Sequence, residues 1–321
     1  MNNFNKAIKL IKKDRCLLGK KIILRFFKWL PDSIYLRILY RFAMGHRLNL
    51  KNPQTFTEKI QWLKLYDRKP EYTTMVDKYA VKEYVAERIG KKYVIPTLGV
   101  WDKPEQIDFD LLPGKFVLKT THGGGGGGVI VCPDKSKLDI KATRIKLTAA
   151  LKANIYRNYR EWPYKNVPRR IIAEKFIEIP EKKNLTDYKV YCFNGLPRYI
   201  QVIQDRNTME TIDFFDTEWN HQEFYGLNPI PKPANAAIPK PANLQEMLQI
   251  SKKLAKGTDF VRVDVYQVKD GIYFGELTFY PASGLGTFTP KEWNQKLGDL
   301  LRLNKKEKSS GMGIAEGGVS I

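Results

Sequence analysis

The sequence is poor in the residues that build disulfide frameworks and multi-histidine metal sites. Its 321 residues include only three histidines and three cysteines, Cys16, Cys132 and Cys192, which lie far apart. An odd, scattered set without a Cys-x-x-Cys pair predicts neither a disulfide framework nor a zinc site. Three free cysteines are natural in a reducing cytosol, and three histidines make a multi-histidine metal site improbable.

Long apolar runs are also missing. The first 13 residues lack an uninterrupted apolar stretch and a small-residue cleavage site, so a secretory signal is not expected. No run of ~18 apolar residues occurs that would form a transmembrane helix. We therefore expect a cytoplasmic protein, which could also lie at the inner face of a membrane.

Acidic residues are few relative to basic ones. The chain has 34 Asp and Glu against 55 Lys and Arg, which gives a formal net charge of +21. Such a field attracts nucleotides, acidic glycans, anionic lipid surfaces and nucleic acid. The basic residues are spread along the chain and form no recognition motif, so a specific nucleic-acid partner is not expected.

The N-terminal region, residues 1–70, is basic and helical in pattern. Between residues 6 and 47, apolar and aromatic side chains alternate with Lys and Arg. Pro31 should break the helix, and Asp32 or Ser33 could cap a second helix that continues through Arg41. Such a helix could lie on an anionic membrane face, or its apolar stripe could pack on the rest of the protein.

The remaining patterns predict an α+β fold with a helical leading segment and glycine-rich lid at 71–172, a C-terminal subdomain at 173–303 and a disordered tail at 304–321.

Thr55 and Glu58 form a capping-box pattern. Asn194-Gly195 predicts a hairpin turn. Helices are predicted at Asp77–Ile89, 139–156 and Asn243–Lys256; strands at 116–118, 129–131, 170–179, 187–193, 197–204, 259–267 and 272–280; and a proline-rich loop at 230–242.

A run of six glycines, Gly123–Gly128, lies between two predicted strands and follows Lys119 and His122. Backbone N–H groups in such a loop can cradle phosphate oxygens. The run is neither a Walker A loop nor a dinucleotide fingerprint, because no Gly-Lys-Ser/Thr follows and a strand comes next in place of a helix. A flexible lid over ATP phosphates is one interpretation, and a simple hairpin tip is the other.

Two predicted strands near the C-terminus carry carboxylates. Because side chains alternate along a strand, Asp264 shares a face with Arg262, and Glu276 shares one with Thr278. If Lys269-Asp270-Gly271 forms the connection, Asp264 faces Glu276 with Cβ atoms ~5 Å apart. A two-residue loop would instead oppose Asp264 to Leu277. Facing carboxylates with nucleotide phosphates would suit Mg²⁺, whereas the alternative is a solvated polar face.

Two further segments are weaker candidates for the nucleotide site. The apolar strand that leads into Glu174, Lys175, Phe176 and Ile177 could supply backbone donors and acceptors to adenine. Lys189 shares a strand face with Asp187 and could either reach phosphate or form a surface ion pair.

These pieces, in this order, resemble the ATP-grasp superfamily, which is an α+β fold of two subdomains that clasp ATP. The resemblance implies that Lys78 and Lys119 contact phosphate, that His122 and Gly123, Gly124, Gly125 and Gly126 belong to the lid, and that Glu174 to Ile177 hold adenine. It implies catalytic roles for Arg262, Lys119 and Lys189. Asp264, Glu276 and Thr278 would bind magnesium.

The chain is more specifically similar to the TupA-like ATP-grasp family of bacterial surface-polysaccharide clusters. The stretches that carry this similarity are Leu48–Pro53, Thr55–Lys59, Asp187–Gly195 and Gly275–Pro281, within residues 48–303. Two features depart from better-known ligases. Thr278 stands where many have Asn, and helices replace the usual N-terminal α/β domain.

The resemblance implies a carboxylate–amine ligase that uses ATP and Mg²⁺ and forms an acyl phosphate. A uronic-acid-containing glycan, a poly-amino-acid chain or a lipid-linked precursor would be the acidic partner, and a small amine or amino acid would be the other. Ser283, Gly284 and the basic pair Arg169–Arg170 are acceptor-site candidates. The alternatives are an ATP-dependent glycan kinase and a glycosyltransferase that would use Asp108-Phe-Asp110.

Overall fold

The computed structural model describes residues 18–124, 127–178, 186–204, 210–227, 237–268 and 271–304. The predictions for Gly125, Gly126, most of the proline-rich loop and residues 305–321 lie outside these ranges, as does the start of the first helix. The described part contains helices and antiparallel sheets, so the α+β class is confirmed.

Nine α-helices occur in the described residues. They are α1 (18–26), α2 (Asp32–Met44), α3 (Phe56–Tyr66), α4 (Glu71–Val76), α5 (Val81–Ile89), α6 (Ile140–Leu151), α7 (Ile155–Tyr159), α8 (Leu244–Ala255) and α9 (Trp293–Leu300). The strands are β1 (Thr97–Trp101), β2 (Phe116–Thr120), β3 (Val129–Cys132), β4 (Ile171–Lys175), β5 (Asp187–Phe193), β6 (Leu196–Gln204), β7 (Thr211–Asp216), β8 (His221–Gln222), β9 (Tyr225–Gly226), β10 (Phe260–Val268), β11 (Gly271–Thr278) and β12 (Phe288–Thr289).

The strands form three sheets. A four-stranded sheet has the order β1-β4-β2-β3, a six-stranded sheet has the order β11-β10-β5-β6-β7-β8, and β12 pairs with β9. The apolar sides of these sheets define the cores. The largest core lies around the six-stranded sheet and includes side chains of α3, α4, α5 and α8. A second core lies between the four-stranded sheet and α6, and a third joins α1 to α2.

Two of the local sequence predictions are confirmed, and one predicted helix is divided. The Thr55–Glu58 capping box is present at the start of α3. Asn194 and Gly195 have φ angles of 48° and 78°, as a primed hairpin turn requires. The predicted helix at 139–156 is two helices, because Asp139 and Asn154 each accept a backbone N–H and start a separate helix.

Three predicted helix starts are corrected. Asp32 lies in the first turn of α2, where its carboxylate pairs with Arg68 and Arg160 instead of capping the helix. The Asn243 side chain makes no capping hydrogen bond within the described part of the chain, although α8 does follow it. Asp77 precedes α5 by a turn and accepts the N–H groups of Tyr79 and Ala80.

Candidate functional site

The adjacent strands β10 and β11 place the two predicted carboxylates opposite each other. Asp264 pairs with Glu276 and Arg262 pairs with Thr278, so four polar side chains gather at one end of the hairpin. This is the pairing that the sequence predicted for a three-residue connection. It places two acids and one guanidinium side by side on β11, the edge strand of the six-stranded sheet, and on its neighbour β10.

The reason for this register differs from the predicted one. Val268 pairs with Gly271, so only residues 269 and 270 lie between the strands, and Gly271 is part of β11. The register then shifts between Asp264 and Val265, whose partners are Glu276 and Phe274. Gly275 is thus the extra residue of a β-bulge, and a Cβ there would lie 3.1 Å from the Asp264 carbonyl oxygen. The bulge, and not a three-residue connection, brings Glu276 to Asp264.

Asp264 is almost completely buried and is neutralised by two cations. The Arg262 guanidinium donates to both carboxylate oxygens at 2.6 and 2.7 Å. Lys189 donates to the same carboxylate and also pairs with Asp187 at 2.8 Å. Burial raises the pKa of Asp264, and the charges of Arg262 and Lys189 oppose that rise. The side chains of Lys189 and Asp187 are 7% and 4% exposed, so the pair is buried and the alternative of a surface ion pair is wrong.

Glu276 is the more open of the two acids, with 37% of its side chain exposed. It contacts Lys78 Nζ at 3.2 Å and Arg262 Nη2 at 3.4 Å, and the Thr278 hydroxyl donates to it. Burial alone would raise the pKa of Glu276, but the charges of Lys78, Arg262 and Lys189 outweigh it and hold the pKa well below its ordinary range. Glu276 is therefore ionised at neutral pH.

Lys78 connects this hairpin to the glycine run. Its Nζ also donates to the Gly123 carbonyl oxygen at 2.7 Å. Gly123 and Gly128 flank the Thr120 side chain so closely that a Cβ at either would lie 2.4 or 2.2 Å from the Thr120 hydroxyl. That hydroxyl is buried and has no hydrogen-bond partner among the described residues. The two ends of the run thus require glycine for steric reasons, and an unpaired donor lies between them.

A second cluster of charges lies on the four-stranded sheet. The buried Glu174 carboxylate forms ion pairs with Lys82 at 2.6 Å and with Lys119 at 2.5 Å. Burial would raise the pKa of Glu174, but the two ammonium groups lower it overall. Burial also lowers the pKa of Lys82. Lys82 was not predicted from the sequence, although its spacing of four residues from Lys78 within the predicted helix Asp77–Ile89 could have indicated it.

The other predicted nucleotide contacts have mixed environments. Lys175 is exposed, and its backbone N–H already donates to the Pro96 carbonyl. Phe176, Ile177 and Gly124 are half-buried or open to solvent. His122 is buried at the start of the glycine run, and burial, followed by the charge of Arg169, lowers its pKa. A neutral His122 would add no charge to the phosphate region.

A strained turn follows the carboxylate strand. Ala282, Ser283 and Gly284 have φ angles of 46°, 56° and 60°, which is costly for the two residues that are not glycine. A buried lysine, Lys64, donates to the Ser283 carbonyl oxygen at 2.7 Å. The Ser283 hydroxyl donates to Glu161 at 2.6 Å. Ser283 and Gly284 are thus held tightly beside the site.

The sequence analysis did not predict a role for Lys64 or Glu161. Burial lowers the pKa of Lys64 to about 8, opposed by the charge of Glu161, and burial raises the pKa of Glu161. The signal for Lys64 was its position one helical turn after Ile60, on the apolar stripe of α3. A lysine on a buried stripe needs a specific partner.

Three other predicted candidates lie in ordinary structural settings. Arg170 pairs with Asp77 at 2.9 Å and stacks on Tyr79. Arg169 donates to a backbone carbonyl oxygen at the end of α6. In the Asp108-Phe-Asp110 triplet, Asp108 accepts the backbone N–H of Asp110 within an exposed turn. These contacts give each residue a local structural role.

The described ranges contain no group of three or more His, Cys, Asp or Glu side chains that could hold a metal ion by themselves. Within the same ranges, no helix is both long and apolar enough to span a membrane.

Three solved structures illustrate the distant similarity of this chain to known proteins. The D-alanine–D-alanine ligase of Bacillus anthracis is 19% identical, and the match covers 71% of this chain and 66% of the ligase with a TM-score of 0.44. The Helicobacter pylori enzyme is 15% identical, covering 78% and 70%, with a TM-score of 0.40. The ATP-grasp ligase PsnB with its minimal precursor is 16% identical, covering 82% and 70%, with a TM-score of 0.40.

The match thus spans just under two thirds of the Bacillus anthracis ligase. Among curated proteins, none matches the chain. A model of the TupA-like ATP-grasp family matches residues 58–302, which is more than half of the sequence. The resemblance inferred from the motifs is confirmed, and the protein belongs to the TupA-like ATP-grasp family.

Proposed function

We propose that this protein is an ATP-dependent carboxylate–amine ligase that modifies a uronic-acid-containing surface polysaccharide or its precursor. The observation that carries the proposal is the balanced charge cluster on β5, β10 and β11. Three acids, Asp187, Asp264 and Glu276, contact three cations, Lys78, Lys189 and Arg262. Such a cluster is suited to exchanging its internal ion pairs for a polyphosphate and a divalent cation.

The phosphates of ATP would lie between the two charge clusters. The Lys82–Glu174–Lys119 cluster has one more cation than anions, so it favours an added negative charge. Lys78 would exchange its contacts with Glu276 and Gly123 for phosphate oxygens. His122 and Gly123 to Gly126 would cover the phosphates, and Glu174 to Ile177 would border adenine.

The donor set fits magnesium shared with nucleotide oxygens. Glu276 is open to solvent, Asp264 lies opposite it, and the Thr278 hydroxyl is within 3.4 Å of Glu276. Carboxylate and phosphate oxygens are the ligands that Mg²⁺ prefers. Magnesium, when bound, would neutralise charge on the transferred phosphoryl group. Asp264 would contribute less freely than Glu276, because Arg262 and Lys189 already occupy its oxygens.

The proposed reaction has two steps. A substrate carboxylate oxygen attacks the γ-phosphorus of ATP, ADP leaves, and an acyl phosphate forms. The amine nitrogen then attacks the acyl carbon, inorganic phosphate leaves, and the nitrogen loses a proton to give an amide. Lys119 and Arg262 would stabilise negative charge on the phosphoryl oxygens, and Lys189 would keep Asp264 ionised. Catalysis would rest on positioning and charge neutralisation.

The acidic acceptor would bind beside the Ala282–Gly284 turn. That turn directly follows β11 and is fixed by Lys64 and Glu161, so its backbone is preorganised next to Glu276. The net charge of +21 supports an acidic glycan, a poly-amino-acid chain or a lipid-linked precursor over a neutral substrate. A small amine or amino acid would be the second substrate.

An isotope experiment tests the reaction. The full chain would be incubated with ATP, Mg²⁺, a uronic-acid oligosaccharide carrying ¹⁸O in its carboxylates, and a panel of amino acids. We expect ADP and phosphate in equal amounts, with one ¹⁸O in each phosphate released. ADP without free phosphate would indicate a glycan kinase. Sugar transfer from a nucleotide sugar without ATP consumption would indicate a glycosyltransferase.

A further inference from the structure

The helices α1 and α2 present apolar side chains to solvent along one stripe each. On α1 and the turn after it, the exposed residues recur at helical spacing: Leu18, Ile22, Phe26 and Trp29. On α2, Ile34 and Phe42 continue the pattern. Phe26 and Trp29 are 64% and 76% exposed, which is extreme for large aromatic side chains. We call this surface the apolar face.

The two stripes belong to one surface. Leu18 and Ile22 of α1 line a groove with Ile38 and Phe42 of α2. Gly19 packs so closely on the Phe42 ring that a Cβ would overlap it. The helices therefore lie side by side, and the exposed Leu18, Ile22 and Phe42 form an apolar patch around the groove between them.

The patch is surrounded by positive charge. Residues 18–47 contain seven lysines and arginines and a single acid, Asp32. That acid is already paired with Arg68 and Arg160, at 2.7 and 2.9 Å. Lys21 and Arg25, one helical turn apart on α1, are exposed beside the apolar stripe. Large apolar side chains flanked by unneutralised basic ones match the interface of an anionic bilayer.

The helix pair is fixed to the rest of the protein. Arg160 donates to the carbonyl oxygens of Lys28 and Leu30, which close the turn between α1 and α2. The Tyr35 hydroxyl donates to the Asn158 carbonyl oxygen. Close by along the chain, the Tyr159 carbonyl oxygen accepts a hydrogen bond from Lys64 of the candidate site. The Glu161 carboxylate accepts one from the Ser283 hydroxyl. The apolar face is thus a rigid surface joined through a short segment to the proposed acceptor turn.

We propose that α1 and α2 dock on an anionic lipid bilayer, with Phe26 and Trp29 in the interfacial layer and Lys21 and Arg25 on lipid phosphates. A second copy of the chain would oppose two strongly basic surfaces, which disfavours self-association. The N-terminal 17 residues are also basic, so the same repulsion disfavours their covering the patch. An anionic membrane satisfies both the apolar and the charged parts.

The test uses the full chain and lipid vesicles at ~0.15 M salt, where diffuse electrostatic attraction is screened. Binding to phosphatidylcholine vesicles would be compared with binding to vesicles of equal parts phosphatidylcholine and phosphatidylglycerol. We expect binding only to the second kind. Trp29 fluorescence, obtained as the difference from Trp29→Phe, should shift to shorter wavelength and be quenched by brominated lipids.

Matched variants separate the apolar face from the general positive charge. Lys21→Glu with Arg25→Glu should weaken vesicle binding about tenfold or more. Lys252→Glu with Lys253→Glu changes the net charge equally on the exposed side of α8 and should have little effect. Phe26→Gln should also weaken binding, whereas Leu111→Gln, which changes an 83% exposed leucine elsewhere, should not.

Three results would overturn the proposal. The first is an equal loss of vesicle binding in the two charge-reversal variants. The second is Trp29 fluorescence that does not change when anionic vesicles are added. The third is a dimer in solution that dissociates on Phe26→Gln substitution. None of these results depends on ATP turnover, so they leave the proposed reaction untouched.

Discussion

The two charge clusters next to the glycine run differ in their balance. On the four-stranded sheet, Glu174 is the one carboxylate between Lys82 and Lys119. On the six-stranded sheet, three carboxylates meet three cations, and the central pair Arg262–Asp264 is nearly inaccessible to solvent. The first cluster carries one surplus positive charge and would become neutral if it lost one lysine. The second cannot lose a cation without leaving a buried carboxylate undercompensated.

This difference separates stability from ligand binding. Removing one partner of a buried ion pair is strongly destabilising because the other charge stays buried. A surplus cation is different, since its removal mainly weakens the site for an anion. We therefore expect substitutions in the balanced cluster to affect folding first, and substitutions in the surplus cluster to affect ATP use first.

The largest effect is expected for Arg262→Met. Lys189 would then be the main partner of both Asp264 and Asp187, and the free energy of unfolding should fall by about 3–5 kcal/mol. Urea denaturation measures this loss. The control Arg88→Met removes an exposed pair with Glu71 at 4.0 Å, and should cost no more than about 1 kcal/mol. Similar losses for the two variants would show that the balanced cluster does not stabilise the fold.

Lys119→Met should act mainly on the reaction. Glu174 keeps its contact with Lys82, so the loss of unfolding free energy should be well below that of Arg262→Met. The rate of ADP formation should fall about 10²- to 10³-fold, since a cation aimed at developing charge is removed. Lys141→Met, on the exposed surface of α6, is the control. Unchanged ADP formation by Lys119→Met would remove Lys119 from the phosphate site.

The Lys64–Glu161 pair tests whether charge balance alone sets stability. Lys64→Met should destabilise the protein by about 3 kcal/mol, and adding Glu161→Gln should recover part of the loss because no buried charge is then left alone. If the loss of unfolding free energy in the double variant equals the sum of the losses in the two single variants, the two charges act independently.

The same pair predicts an alkaline response. The pKa of Lys64 is lowered by burial to about 8 from 10.5 in the folded state. Between these values the unfolded chain binds more protons, so the wild type should gain stability relative to Lys64→Met as the pH rises from about 8 to 10.5. Urea midpoints across that range measure the difference.

The smallest effect is expected in acid. The pKa values of Glu174 and Glu276 are both lowered by neighbouring cations in the folded state. The unfolded chain therefore takes up protons first, and stability is lost as the pH falls below 4.5. Glu174→Gln and Glu276→Gln should each flatten this loss, because each removes a carboxylate whose pKa is lowered in the folded state. If the stability of both variants falls with decreasing pH as steeply as that of the wild type, the assigned ion pairs are contradicted.

The pairing of Asp264 with Glu276 was predicted only for a three-residue connection, whereas Val268 pairs with Gly271 and a bulge produces that pairing. The sequence predicted the type of most elements, because strand alternation and turn residues are local signals. It did not predict the bulge at Gly275, since a bulge is a property of two paired strands and not of one. Lys82, Lys64 and Glu161 were missed for a related reason. Their roles depend on buried contacts with partners such as Glu174 and Ser283, which lie about 90 to 220 residues away along the chain.

The division into subdomains at residues 70, 172 and 303 stays a prediction, as do the ligand roles of the glycine run. Gly123 and Gly128 are explained by the Thr120 side chain between them. That steric reason was not visible in the sequence, where the run indicated only flexibility and phosphate binding. The fold around the site is therefore better determined by local sequence than the charge contacts within it.

The central claim is that Glu276 helps to hold a magnesium–nucleotide complex, and calorimetry of ATP binding tests it most directly. Titrations would be made with and without Mg²⁺, on the wild type and on Glu276→Gln. We expect the wild type to bind ATP more tightly with Mg²⁺, and Glu276→Gln to lose about tenfold or more of that affinity, which is at least about 1.4 kcal/mol. Failure of the wild type to bind ATP, or equally tight Mg²⁺-dependent binding by Glu276→Gln, would contradict the account.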